Sequence, residues 1–266
     1  MELRFCPLFS GSSGNSIYVE GNGTAVLVDA GVSGRAIENA LHDLHVSPER
    51  LKGILVTHEH IDHIRSVGVL SRRYNIPVYA NAPTWMAMQA KVGEIAPRNQ
   101  RIFESDQDFY IRSLGITPFF TPHDAAQPVG YCLSCGQRRV AIATDLGCVA
   151  KSVVEALYGC DAVLLESNHD VDMLKQSSYP QRTKLRILGS RGHLCNEDAA
   201  KVIYKLVQNG VGTVMLGHLS AENNSERLAM ETVSGMLQRG GVCTGEDVQL
   251  LMAHRDRVSQ QLLIEG

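Results

Sequence analysis

The sequence predicts one α/β domain in which apolar sheets pack in layers with helices outside. Three observations predict it. Short β-branched runs of strand length recur at 24–28, 53–57, 78–80, 140–144, 162–165 and 213–216. Helical patterns lie among them, at 35–44, 62–73, 83–92, 151–157, 196–208 and 225–237. No Pro/Ser/Gly-rich linker or low-complexity tract divides the 266 residues, so 1–266 reads as a single domain. Strands alternating with helices bury their apolar faces best as layered sheets with helical covers.

Taken in order, strand 24–28 runs straight into Asp29-Ala30-Gly31, and helix 35–44 follows. Strand 53–57 ends at His58, and helix 62–73 turns Ile64, Val67, Val69 and Leu70 inward. Helix 83–92 opens on Pro83, whose missing N–H costs nothing in a first turn. The run 116–120 reads as a further strand, and Cys132-Leu133-Ser134-Cys135 as part of a hairpin before Val140. Two cysteines packed in strands explain that spacing better than half a zinc knuckle, since no second C-x-x-C exists. The halves of the chain echo each other. Residues 26–31 resemble 142–147, a strand ending in Asp, and 53–58 resemble 212–218, a strand ending in His. The echo suggests two similar half-units with polar residues at their strand ends.

Composition excludes several classes. Forty-four percent apolar and 20% charged residues argue against a disordered chain. No run approaches the roughly 18 apolar residues of a membrane span, so no membrane partner is expected. The start lacks the charged-then-apolar layout of a secretory signal. Seven scattered cysteines suit a reduced compartment, and a cytoplasmic location is the expectation. A net charge of −3 means that any nucleic-acid affinity must come from a local patch.

Chemistry concentrates in His58-Glu59-His60-Ile61-Asp62-His63. Residues two apart in an extended chain point the same way, so His58 and His60 can grip one cation. Asp62 and His63 fall at the mouth of the next helix, turned differently, where they can hold a second. Imidazole with carboxylate suits zinc, manganese or iron(II). Four further residues stand in loops that could complete such a site: His123, Asp145, His193 and His218.

This order of residues resembles the metallo-β-lactamase superfamily of hydrolases, whose pattern is H-x-H-x-D-H, a lone His, a lone Asp and a final His. The resemblance spans residues 10–220 and implies an αββα four-layer sandwich with two divalent metal ions per chain. It implies His58, His60 and His123 on one metal, and Asp62, His63 and His218 on the other. Asp145 would bridge both, and Asp29 would orient ligands rather than bind metal. The stretches 10–16, 165–170, 192–196 and 218–224 resemble the YycJ/WalJ (VicX) branch, which implies a cytoplasmic DNA phosphodiesterase with 5′ exonuclease activity. Cys195 departs from that branch, which usually has Ser after His-Leu.

The expected nucleophile is a hydroxide bridging the metals, and the expected catalytic groups are His193, Glu166 and Asp62. His193 would protonate the leaving group, with Glu166 orienting and charging it. Exchange of His193 and His218 as second-metal ligand is the rival assignment. Ser12 and Asn15, in the Gly/Ser loop 10–16, could reach a substrate phosphate. Between 173 and 191 there is no Asp or Glu, yet Lys175, Arg182, Lys184, Arg186 and Arg191 occur. Arg182 and Lys184 are therefore expected to track a DNA backbone, with Tyr179 a candidate stacking surface. Hydrolysis of a small phosphodiester or thioester is the alternative. A flavodiiron protein would carry Glu at position 60, and a β-CASP nuclease would insert a domain. Only 73 residues separate Asp145 from His218, too few for that insertion.

Overall fold

The computed structural model describes residues 2–266. Strands β1 (Glu2–Phe9), β2 (Ser16–Gly21), β3 (Thr24–Val28), β4 (Leu51–Leu55), β5 (Val78–Asn81) and β6 (Gln100–Phe103) form the first sheet in that spatial order. The second sheet is β7 (Phe109–Ile111), β8 (Leu114–Phe120), β9 (Val129–Cys135), β10 (Arg138–Ala143), β11 (Ala162–Glu166), β12 (Thr213–Gly217) and β13 (Gln249–Met252). The last strand, β14 (Leu262–Glu265), returns to pair with β1. Each sheet begins as an antiparallel meander and becomes parallel, at β3–β4 in one and β10–β11 in the other.

Period-two alternation explains how the layers stack. In β3, Val26 and Val28 face the second sheet, while Ala25 and Leu27 face helices. In β11, Ala162 and Leu164 face the first sheet, while Val163 and Leu165 face the other way. Strands buried on both faces need covers on both sides. Helices α1 (Gly34–Asp43), α2 (Ile61–Ile64), α3 (Val67–Tyr74) and α4 (Ala82–Val92) belong to the first half. Helices α5 (Lys151–Ala156), α6 (Val171–Gln176), α7 (Gln181–Ile187), α8 (Asn196–Val207) and α9 (Glu226–Arg239) belong to the second. The architecture is the expected αββα sandwich.

Several local expectations are corrected. The single helix expected over 62–73 is broken between α2 and α3. Ser66 leaves helical geometry, and its N–H donates to Ala30 O at 2.8 Å. Strands β1, β2, β6, β7, β13 and β14 and helices α6 and α7 were not legible from periodicity; most are short or lie at sheet edges. The Asp29–Asp145 echo coincides with topology, since β3 and β10 hold equivalent places in the two sheets. The His58–His218 echo does not: β4 neighbours β3, whereas β12 stands two strands from β10. Cys132 and Cys135 lie on opposite faces of β9, in different cores, and so cannot share an ion.

Strand direction decides where the polar residues meet. β1, β3 and β4 run parallel, as do β8, β10, β11, β12 and β13. Their C-terminal ends therefore deliver the loops bearing Ser10, Asp29, His58, His123, Asp145, Glu166 and His218 to one rim. Close packing there requires Gly31. A Cβ on it would lie 1.5 Å from Asp62 O, the carbonyl that accepts from Asn15 N at 2.8 Å.

Gly31→Ala is expected to destabilise the fold by about 3 kcal/mol or more in urea, because backbone must move to admit the methyl group. Wild-type stability in that variant would show that the approach of the two loops is not tight.

Candidate metal centre

The cluster starts at Asp29, at the end of β3 with φ 63°. Its Oδ1 accepts from Thr57 N at 2.9 Å, and its Oδ2 from Thr57 Oγ1 and His63 Nδ1 at 2.8 and 2.7 Å. Holding His63 by Nδ1 turns its Nε2 outward, to 3.2 Å from Asp145 Oδ2 and 3.6 Å from Asp62 Oδ2. Asn15 backs the same imidazole. Its Nδ2 stands 3.1 Å from His63 Nε2 and also donates to Gly11 O, while its Oδ1 accepts from Gly11 N.

Asp145 ends β10 in the same left-handed conformation, φ 59°. It reaches both halves of the cluster, with Oδ1 3.5 Å from His123 Nε2 and 3.7 Å from His218 Nε2. His123 Nε2 is 3.3 Å from His60 Nδ1. The groups His58/His60/His123, Asp62/His63/His218 and His58/His63/Asp145 each bring their ligand atoms within 4.8 Å of one another. Glu59, inside the His-rich motif, does other work: its Oε1 accepts from Ala126 N at 2.9 Å and so holds the His123 loop.

Glu166 organises the far side. Its Oε1 accepts from His193 Nδ1 and His218 Nδ1, both at 2.8 Å. Its Oε2 accepts from Leu146 N at 2.6 Å and Leu194 N at 3.2 Å. His218 is wholly buried and aims Nε2 at the cluster, whereas the His193 side chain keeps 14% exposure. Sequence reasoning paired Glu166 with His193 alone. It also missed Thr57, which ties Asp29, His58 and His63 together.

A divalent cation fits these donors. His58 Nε2 and His218 Nε2 are buried without a hydrogen-bond partner among the described residues. His218 Nε2 lies 3.7 and 3.9 Å from the carboxylates of Asp145 and Asp62, beyond hydrogen-bond reach. Electrostatics agree. Burial would raise the Asp145 carboxyl, but His218, His63 and His123 hold it well below the usual range. Burial opposes protonation of His63 and His218, yet the surrounding carboxylates drive His63 well up and His218 to about 10. Asp62 and Glu166 are drawn down to about 2 against burial by neighbouring imidazoles. His58 and His123 are pushed down, chiefly by burial. The cluster demands positive charge.

The other expected site residues are dispersed. Ser12 is exposed on the Gly/Ser loop beside this rim, whereas Asn15 is buried with its amide committed to the loop and His63. Most of the basic stretch is engaged internally. Lys184 Nζ donates to Lys175 O and Ser177 O at 2.6 and 2.7 Å. Arg186 pairs with Asp124 through two bonds, and Arg191 donates twice to His123 O. These arginines clamp the His123 loop. Arg182 is exposed and makes no hydrogen bond or ion pair among the described residues. Cys195 is the N-cap of α8 and makes no side-chain cap bond, so the cap a serine would supply is missing. Glu197 and Asp198 in the first turn offset part of that loss.

A family model described as the metallo-beta-lactamase superfamily matches residues 10–218. The chain is 40% identical over 250 residues to a Bacillus anthracis protein named exodeoxyribonuclease YycJ, covering 94% of this chain and 95% of that one. It is 39% identical to exodeoxyribonuclease WalJ of Streptococcus pneumoniae, covering 93% of each. Among solved structures, the metallo-beta-lactamase fold protein YhfI of Bacillus subtilis superposes with a TM-score of 0.73 at 17% identity, over 97% and 99% of the two chains.

Two predictions come from this geometry. In Glu166→Gln, one amide oxygen cannot replace two oxygens that each accept twice, so metal affinity should fall about 10–100-fold in chelator competition, with the circular dichroism spectrum retained. Unchanged affinity would remove Glu166 from the site's support. The second concerns His169, buried with neither ring nitrogen hydrogen-bonded among the described residues. Burial pushes its pKa down to about 4. The unfolded chain binds this proton near pH 6.5, so His169 costs stability as pH falls from there toward 4. Between pH 7 and 4.5 the wild type should lose about 2 kcal/mol more than His169→Gln in urea denaturation. Parallel losses in the two proteins would contradict the burial of a neutral imidazole.

Proposed function

Because the chain belongs to the metallo-β-lactamase superfamily and its YycJ/WalJ-like branch, we propose that it is a metal-dependent phosphodiesterase that digests DNA from a 5′ end. The observation that carries this reading is the ring of imidazoles and carboxylates around Asp145, with the Glu166–His193 pair beside it. On this reading His58, His60 and His123 would hold one divalent ion, and Asp62, His63 and His218 a second, with Asp145 within reach of both groups. Zinc, manganese and iron(II) all suit these donors. Such a pair, when bound, lowers the pKa of water toward 7 and stabilises charge on phosphoryl oxygens.

The chain's own residues supply the rest. Asp62 is half-buried and stays ionised near neutral pH, so its carboxylate can accept a hydrogen bond from the attacking water. His193 has Nδ1 committed to Glu166, which leaves Nε2 to carry a proton to the departing 3′ or 5′ oxygen. Glu166 fixes that ring's direction. His218 shares the same carboxylate but is buried and directed at Asp62 and Asp145. That difference supports His218 as ligand and His193 as acid. Ser12 and Arg182 remain free to meet substrate. Scattered cysteines, all free in the fold, suit a cytoplasmic setting.

The test is 5′- and 3′-labelled single- and double-stranded DNA, assayed beside cyclic nucleotides and thioesters with each metal. Stepwise loss from the 5′ end is expected, and none after exhaustive chelation. Preference for a thioester or a small phosphodiester would overturn the reading. His193→Ala should retain its metal content and lose about 10²–10⁴-fold in kcat. Loss of one metal instead would exchange the roles of His193 and His218.

A further inference from the structure

The loop after β13 lies on the same rim as the metal centre and outside the segment, 10–218, that matches the family model. Parallel pairing of β12 with β13 sets Leu216 opposite Met252, and just beyond that pair Leu219 and Arg255 line one cleft. Gly11 closes the group, since it bridges to Leu219 and the Ser10 N–H donates to His254 O at 2.9 Å. Arg255 runs its stem across Gly11: a Cβ there would lie 2.2 Å from Arg255 Cγ and 2.7 Å from Cδ. With Ser220, Asn224, Ser225 and Glu226 it lines a cleft of about 250 Å³.

Charge in this cleft is paired except at one place. Glu226 accepts from His254 Nδ1 at 2.8 Å and lies 3.6 Å from Arg257. Asp256 lies 3.5 Å from Arg257. Arg255, half-buried, makes no hydrogen bond or ion pair among the described residues. Its guanidinium is therefore a permanent cation with five unused donors, on a stem that crosses Gly11, the residue before the exposed Ser12 and Ser13. A planar fork of this kind matches phosphate oxygens.

We propose that Arg255, seated over Gly11, is a specificity-determining residue that holds a DNA phosphate next to the one being cleaved. This rests on the nuclease reading above and names where the strand is gripped. The phosphate is either an internal phosphodiester or a terminal 5′-phosphate. In both cases the bound group is a phosphate anion beside the β12–β13 rim, not one tracked along α7.

The experiment compares wild type, Arg255→Met, Arg255→Lys and Gly11→Ala on 5′-phosphorylated and 5′-hydroxyl oligonucleotides. Methionine keeps the apolar stem on Gly11 and removes the guanidinium. Arg255→Met should raise KM about tenfold with kcat changed less than twofold, and reduce the salt slope of binding by about one. Arg255→Lys should keep the slope and recover part of the KM. Gly11→Ala, which displaces the stem, should raise KM in the same direction. Loss confined to 5′-phosphorylated ends assigns the terminal phosphate, and equal loss on both substrates assigns an internal one. Wild-type KM and salt slope in Arg255→Met would overturn the proposal while leaving the nuclease reading intact. Absence of DNA cleavage by the metal-loaded wild type would overturn both.

Discussion

The structure depends on keeping carboxylates ionised where water cannot reach them. Asp29, Asp145 and Glu166 are buried at strand ends; neighbouring imidazoles hold Asp145 and Glu166 below the usual range, whereas burial raises Asp29 against the pull of His63 and Thr57. An isolated buried carboxylate would cost several kcal/mol and take up a proton instead. Here Asp29 and Glu166 accept from backbone N–H groups and imidazoles, and Asp145 stands among the imidazoles of His63, His123 and His218. The imidazoles so held lose rotational freedom about their ring bonds, and their remaining nitrogens converge. The same contacts that make the charges tolerable thus build the ligand geometry. Stability and function share these bonds.

Sheet topology brings the carboxylates together. In both sheets an antiparallel meander becomes parallel at the strand that ends in a positive-φ aspartate. His218 ends β12 in the same conformation, φ 54°. Side chains rarely adopt that region, at a cost of order 1 kcal/mol each. The conformation swings each side chain off the strand's line and over the rim between the sheets. Gly31 and Gly11 serve the complementary need, letting neighbouring loops approach without a side chain in the way. A rim built from these strand ends is stiff, which suits a site whose donors must hold their places against mutual repulsion.

Much of this was legible in the sequence. The strand cores at 24–28, 140–144, 162–165 and 213–216 are apolar on both faces, and that composition marks a strand between two layers. The dense His/Asp motif identified the centre because few other physical reasons assemble such residues. Short edge strands such as β6 and β7 carry too few residues for a period to register. The break at Ser66 was invisible because its cause, a bond to Ala30, lies outside the local pattern. The charge run at 173–191, read as a cationic track for a DNA backbone, hides its internal bonds for a related reason. Lys184 satisfies carbonyls of its own stretch, and Arg186 and Arg191 bond the loop that carries His123. Arg255 drew no attention, since nothing near it in sequence reveals that its partners are spent on Arg257 and His254.

The central claim, that residues from distant strand ends jointly clasp cations, is tested most directly by anomalous diffraction from crystals grown with zinc or manganese. Two anomalous peaks should appear, one against His58, His60 and His123 and the other against Asp62, His63 and His218, with Asp145 in contact with both. A pocket without anomalous signal at saturating metal, or ions held only by surface carboxylates, would contradict it.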